Sequence, residues 1–338
     1  MGVAWLLAAW LMVGCAPSLG GCQPGDLRVG MITDTRGIDG SANGLVWQGI
    51  QRAERELGVC AQFLESRTEE DYSKNITGLA EQRFDLIVAA SPALTAAVQE
   101  MAGRYPETRF VLVDGTLEPP AANVNGITFR VDQAAFPAGY LAAAWADMED
   151  PADPQVGYVA SRQNPSAEQY VRALKAGVDY YNAQKGKTVR FRGVYVGEAE
   201  GILNAPEQAN SLIDLGADVL LEVSDQAPLG ALTMAKERGK WGIGSDLDRY
   251  ETLTEGRDIL LTSAVKHLDN AVYSFLELTT QGGVSGGSVE VGTLENGGVG
   301  LAPYHDTDRQ IPDSIKQEVA QIQEAIREGT LSTERQVP

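Results

Sequence analysis

Short β-rich apolar runs alternate with amphipathic helical stretches from Leu27 onwards, and this alternation restricts the fold more than any other feature of the chain. Residues 27–34 read as the first strand, and residues 45–57 as a helix with Val46, Ile50, Ala53 and Leu57 at helical spacing. A strand at 61–64, a helix at 72–82 and a strand at 86–90 follow. Ser91-Pro92 opens the next helix, a capping hydroxyl followed by proline at the first helical position, and 110–114 is another apolar strand. Continuous apolar strands between helices predict an α/β fold with a parallel, doubly wound sheet. The same grammar restarts after about residue 130. A helix at 134–148 precedes strands at 156–160, 189–196, 219–223 and 241–245, with helices opening near Ser166, Pro206 and Pro228. Two sheets built in turn mean two lobes, which suits 338 residues at roughly 100–200 per domain. The Pro-rich stretch 118–123 and a strand at 126–129 mark the first passage between lobes. A strand at 259–264 and a helix at 268–279 are expected to return to the first lobe, and 314–329 reads as a surface helix.

Charge and cysteine usage narrow the partners. The formal net charge is -19, from 46 acidic and 27 basic side chains, and such a surface repels polyanions, which argues against nucleic acid. The three cysteines show no spacing of a disulfide framework or a zinc site, and Cys60, in the apolar run 60–64, reads as a buried strand residue. Residues 3–13 are wholly apolar, too few for a bilayer core that takes roughly 20 as a helix, but matched to the apolar segment of a secretory signal. No Lys or Arg precedes them. Met12-Val-Gly-Cys15 follows directly and looks like a lipobox, where the cysteine is acylated; Leu19-Gly-Gly-Cys22 is the alternative. The expectation is an exported protein, lipid-anchored to the cell membrane and facing the periplasm or the exterior.

Polar residues collect at strand ends. Open α/β sheets bind ligands in the crevice outside the carboxyl ends of their strands, and those ends here carry Asp34, Ser91, Asp114, Ser224-Asp225 and Asp246. Each suits a helix N-cap as well as a ligand contact. Catalysis finds no constellation. No Gly-rich loop ends in Gly-Lys-Ser or Gly-Lys-Thr, Gly297-Gly-Val-Gly300 lacks the third glycine of a dinucleotide fingerprint, and no Gly-x-Ser-x-Gly elbow occurs. The histidines are His267 and His305; His305-Asp306 reads as a solvated loop rather than half a metal site, and Glu69-Glu70 as a solvated helix entry. The chain is expected to be no enzyme, with no cofactor and no metal.

Several short motifs, in order, resemble the basic membrane protein family of ABC-transporter substrate-binding lipoproteins, whose best-understood members are purine nucleoside receptors. They are Val29-Gly-Met-Ile-Thr-Asp34, Gly37-Ile-Asp39 with Ser41 and Asn43, Trp47-Gln-Gly49, Phe110-Val-Leu-Val-Asp-Gly115, Phe136-Pro-Ala-Gly139, Gly242-Ile-Gly-Ser-Asp246, Leu261-Thr-Ser263 with Lys266, and Gly297-Gly-Val-Gly-Leu-Ala-Pro303. The resemblance spans about residues 27–304. It implies a two-lobed type I periplasmic binding protein with three crossings, each lobe a doubly wound parallel sheet. It also implies polar ligand contacts at Asp34, Asn43, Asp114, Asp246 and Lys266, to which the strand-end reading adds Ser91. Two carboxylates can accept from a sugar's vicinal hydroxyls, while Lys266 donates and balances charge. The family's stacking aromatics are missing: Ala42 and a position near Ala199 stand in their places, leaving Phe136, Trp47 or Tyr250 as substitutes.

The expected organisation is a signal and tether at 1–22, an N-terminal lobe from 26–127 plus 250–285, a C-terminal lobe from 128–249 plus 286–310, and a helix and tail at 311–338. The expected function is capture of a nucleoside or related polyol-bearing solute for an ABC permease and ATPase, by a monomer. The alternative is a ligand-sensing module not coupled to transport.

Overall fold

The computed structural model describes residues 22–23, 25–38, 41–161, 163–197, 201–223 and 229–333. Cys15, Asp39, Ala199, Ser224, Asp225 and Pro228, singled out above, lie outside them. The first half alternates β1 (Leu27–Ile32), α1 (Ala42–Glu56), β2 (Val59–Leu64), α2 (Glu70–Glu81), β3 (Leu86–Ala89), α3 (Thr95–Arg104), β4 (Arg109–Val113) and β5 (Val124–Phe129). The second runs α4 (Val131–Glu149), β6 (Gln155–Ala160), α5 (Pro165–Lys185), β7 (Arg190–Tyr195), α6 (Gly201–Asp214), β8 (Val219–Val223), α7 (Leu229–Glu237), β9 (Trp241–Asp246), α8 (Arg249–Thr252) and β10 (Leu260–Lys266). Then come α9 (Leu268–Thr280), β11 (Val289–Gly292), β12 (Val299–Leu301) and α10 (Asp313–Arg327).

Among the described residues the strands form two six-stranded sheets, ordered β11-β5-β4-β3-β1-β2 and β12-β10-β9-β8-β6-β7. Each order reverses once among its parallel strands, between β1 and β3 and between β6 and β8, and the crevices at such switch points are where α/β sheets take ligands. Pairing is parallel except for β12 against β10. Parallel strands covered on both faces must be apolar throughout, and β3 and β8 are buried at every position. Local chemistry fixes the helix entries. Ser41 caps α1 by accepting from the Gly44 amide, and Asn164 caps α5 ahead of Pro165. Gly139 on α4 and Gly177 on α5 have no room for a β-carbon, because the opposing helix's backbone fills that space.

Chain allegiance after residue 246 differs from expectation. The strand placed in the first lobe, β10, pairs in parallel with β9 in the second sheet. Conversely β11 extends the first sheet alongside β5. The passages between lobes therefore fall between β5 and α4, between β10 and α9, and between β11 and β12. Backbone hydrogen bonds tie them together: Arg130 N donates to Gly292 O and His267 N to Gly298 O, both at 2.9 Å or less. The reason is that β10 is buried at every position, so it needs a partner on both edges, and β9 and β12 supply them. Nothing in its own pattern names the sheet.

Two further corrections concern proline and cysteine. Pro206 does not open α6 but lies inside it, and its ring occupies the space a β-carbon on Gly230 would need, so it serves the packing of α6 on α7. Cys60 is half-buried rather than buried, and it forms a disulfide with Cys22 across a separation of 38 residues. The spacing concealed the pair. Their proximity follows from β1 lying beside β2, which brings the chain just before β1 to the start of β2, with a Cα–Cα distance of 5.4 Å.

Candidate ligand-binding crevice

Five of the six ligand candidates sit at or just beyond the carboxyl ends of strands: Asp34 after β1, Ser91 after β3, Asp114 after β4, Asp246 ending β9 and Lys266 ending β10. Asn43 comes from the first turn of α1. The structure draws them into two adjoining groups.

Lys266 is the centre of the first. Its side chain is only 5% exposed, and its ammonium lies 2.8 Å from Asp114 Oδ2 and 2.9 Å from Asp246 Oδ1. Asp114 belongs to the first lobe and the other two to the second, so one ion pair spans the lobes. Tyr170 on α5 donates to Asp246 Oδ1 at 3.0 Å. Burial alone would lower the Lys266 pKa, but the two carboxylates outweigh it and hold the amine above its usual range. The acids divide. Asp114 is raised, since burial and the nearby Asp246 charge outweigh Lys266. Asp246 is lowered despite its burial, because it has Arg249 and the Tyr170 hydroxyl in addition to Lys266. Both acids have positive φ, 59° and 63°, a region that non-glycine residues enter rarely and that concentrates at functional sites.

Asp34, Asn43, Ser91 and Arg36 make the second group. Asp34 Oδ1 accepts from Asn43 Nδ2 at 2.8 Å and from the Arg36 amide at 3.0 Å. Its Oδ2 accepts from Arg36 Nε at 2.9 Å. Burial pushes the Asp34 pKa up, but the Arg36 bonds and charge reverse this and leave it lowered. Arg36 also donates to Ser91 Oγ at 3.3 Å, while that oxygen caps its helix by accepting from the Ala93 amide. Asn43 is therefore a brace for the Asp34 loop, reaching Gly37 O at 2.7 Å as well.

Sequence reasoning missed Arg36, Tyr170 and the pair Glu222–Arg249. That pair is bidentate at 3.0 Å, almost fully buried, and Glu222 also accepts from the Ser245 amide next to Asp246. A carboxylate inside the apolar run Val219-Leu-Leu-Glu-Val223 demands a cation, which was the available signal. Among the aromatic substitutes, Phe136 is buried against Tyr180, and Tyr250 stacks on His305 at 4.0 Å. His305 pairs with Asp248 at 2.7 Å, not with Asp306, and Glu251 lies close to both. Trp47 alone of the three lines a cavity beside the crevice.

Two doubly wound lobes, joined by three passages and facing one another across a charged crevice, make the type I periplasmic-binding-protein fold. An ABC-transporter solute-binding protein of Aeropyrum pernix superposes with a TM-score of 0.75 at 23% identity, covering 90% of this chain and 92% of that one. The profile of the family described as "ABC transporter substrate-binding protein PnrA-like" matches residues 27–338, and the chain belongs to that family. Its members are binding proteins, not enzymes, and work with permease and ATPase components. An "ABC transporter nucleoside-binding protein" of Lactococcus lactis subsp. cremoris is 25% identical over 97% of this chain and 95% of its own length. An "uncharacterized lipoprotein" of Pyrococcus abyssi is 26% identical over 97% of this chain and 84% of its own. Among the described residues no helix is long and apolar enough to cross a membrane.

Proposed function

We propose that this protein captures a nucleoside or a related polyol-bearing solute between its lobes and delivers it to an ABC importer. The observation that carries this reading is Lys266 held between Asp114 and Asp246 at the mouth of both lobes. Asp114 and Asp246 line the same space as Lys266, Arg36 and Arg249, and Asp34 is bonded to Arg36. The carboxylate oxygens of such a surface accept from a solute's hydroxyl donors. Arg36 and Ser91 line this space from the first lobe, Arg36 held by Asp34 and Asp34 braced in turn by Asn43. The Lactococcus relative's name supports a nucleoside. A thermal-shift screen of the full chain against nucleosides, bases, sugars and flavins tests it. A solute at about 100 times its dissociation constant adds about 2.7 kcal/mol. Stabilisation by nucleosides or free polyols is expected; a response confined to anionic solutes would refute the reading.

The membrane anchor is proposed at Cys15. Cys22, the alternative, has its sulfur committed to Cys60 and is unavailable for acylation. The Pyrococcus relative's name supports a lipoprotein. Fatty-acid labelling in cells should disappear in Cys15→Ser and persist in Cys22→Ser; the reverse pattern would move the anchor.

A further inference from the structure

One cluster of side chains with metal-ligating chemistry lies outside the charged crevice. Asp248 precedes α8, Glu251 lies on α8, and His305 opens a single turn of 3₁₀ helix at His305–Thr307, beyond β12. One ligand atom from each lies within 4.8 Å of the other two. His305 Nε2 and Asp248 Oδ2 are 2.7 Å apart. Asp248 and Glu251 stand in the wall of a second cavity, of about 600 Å³, beside the crevice, and none of the three bounds the crevice itself.

The surroundings hold these groups in place. The Tyr250 ring stacks face to face on the His305 imidazole at 4.0 Å, with 8° between the planes. Asp248 Oδ1 accepts from the Tyr250 amide at 3.1 Å, which leaves Oδ2 to face His305. Helix α8 is fixed through its first residue, Arg249, whose side chain is bonded to buried Glu222 and whose amide donates to Ser263 Oγ. The turn carrying His305 is pinned to β10, where the buried Thr307 hydroxyl donates to Leu260 O at 2.8 Å. His305 takes a φ of 45°, a region that non-glycine residues enter rarely. Asp306, its neighbour in sequence, bonds to the Tyr250 hydroxyl instead.

We propose that Asp248, Glu251 and His305 bind a first-row divalent transition ion, represented by Zn²⁺. One imidazole nitrogen and two carboxylate oxygens suit such an ion, whereas Ca²⁺ takes about six to eight oxygens. Bonds of about 2.0–2.2 Å in a tetrahedron set ligand atoms roughly 3.3 Å apart. His305 and Asp248 are already nearer than that. Glu251 closes by no more than about 1.5 Å from the 4.8 Å limit, a small swing for an exposed side chain. The two carboxylates balance the ion's charge, and water takes the fourth position. The ion clasps the loop after β9 to the chain just past β12, both in the second lobe. Asp248 lies 57 positions before His305, so spacing along the sequence gives no sign of the site and leads to the expectation of no metal. The proposal is independent of the solute reading.

Calorimetric titration of the untagged, chelator-stripped full chain with ZnCl₂ and with CaCl₂ tests it, beside Glu251→Gln and His305→Asn. One Zn²⁺ per chain is expected, with no comparable binding of Ca²⁺. Each substitution should weaken Zn²⁺ by at least about 10-fold. Glu251 is exposed, so Glu251→Gln keeps the fold, and asparagine tolerates the backbone of position 305. The chain has two histidines, so carbon-13-labelled histidine gives two imidazole signals. Zn²⁺ should move one, and that one should be missing from His305→Asn. Zn²⁺ bound as tightly by either variant, Ca²⁺ bound as tightly as Zn²⁺, a shift of the His267 signal alone, or no Zn²⁺ binding below millimolar concentration would each overturn the proposal.

Discussion

Lys266 answers to two acids at once, and removing it leaves both without their shared cation. Lys266→Met should abolish tight solute binding and also destabilise the fold by about 3–5 kcal/mol, the usual cost of stripping one partner from a buried ion pair. Chemical denaturation and a binding titration read the two effects separately. Unchanged affinity would remove Lys266 from the site, and Asp114→Asn in the same chain should restore part of the stability. The direction of each pKa gives the pH profile. Asp114 lies above the ordinary aspartate value of 3.8, Asp34 and Asp246 lie below it, and Lys266 stays protonated. On acidification Asp114 takes its proton first, so affinity should fall through its pKa while the other two acids remain charged. The depressed pair contributes stability above the unfolded value and loses it as pH drops through the folded pKa, whereas Asp114 contributes with the opposite sign. Affinity measured from pH 3 to 9 should show one acid limb and a flat alkaline side. These strand-end acids were legible because strand ends are marked by where apolar runs stop. Arg36, Tyr170 and Arg249 were not, since their partners are set by which strands lie side by side.

Elements were legible where periodicity was strong. The core of α1, of α9 and of the parallel strands lies where spacing put it, because burial on one face or both leaves that record in the residues. Sheet membership left none: β10 and β11 carry no mark of the sheet they join, and each was assigned to the wrong lobe. The disulfide was invisible for a related reason, as it depends on β1 pairing with β2 rather than on cysteine spacing. It staples the segment before β1 to the edge strand β2. Cys60→Ala should therefore lower unfolding stability by about 2–5 kcal/mol, with the segment before β1 and the edge strand β2 fraying first in hydrogen exchange. If reduction of the unsubstituted protein left its melting unchanged, the staple would have no structural role.

Across the whole molecule, three chain passages confine the relative motion of the lobes, and hinge closure of such lobes is the standard response to a solute. The two-lobed architecture was readable from the restart of the βα pattern, and the family from motifs spread over about residues 27–304. The position of the second cavity was not, since it needs α1, β2, β9 and β10 assembled. The Lys266–Asp114 ion pair crosses the boundary between the lobes. Any opening of the lobes has to part it, so the crevice carries its own latch, and the more that latch is reached by water and salt the less it resists opening.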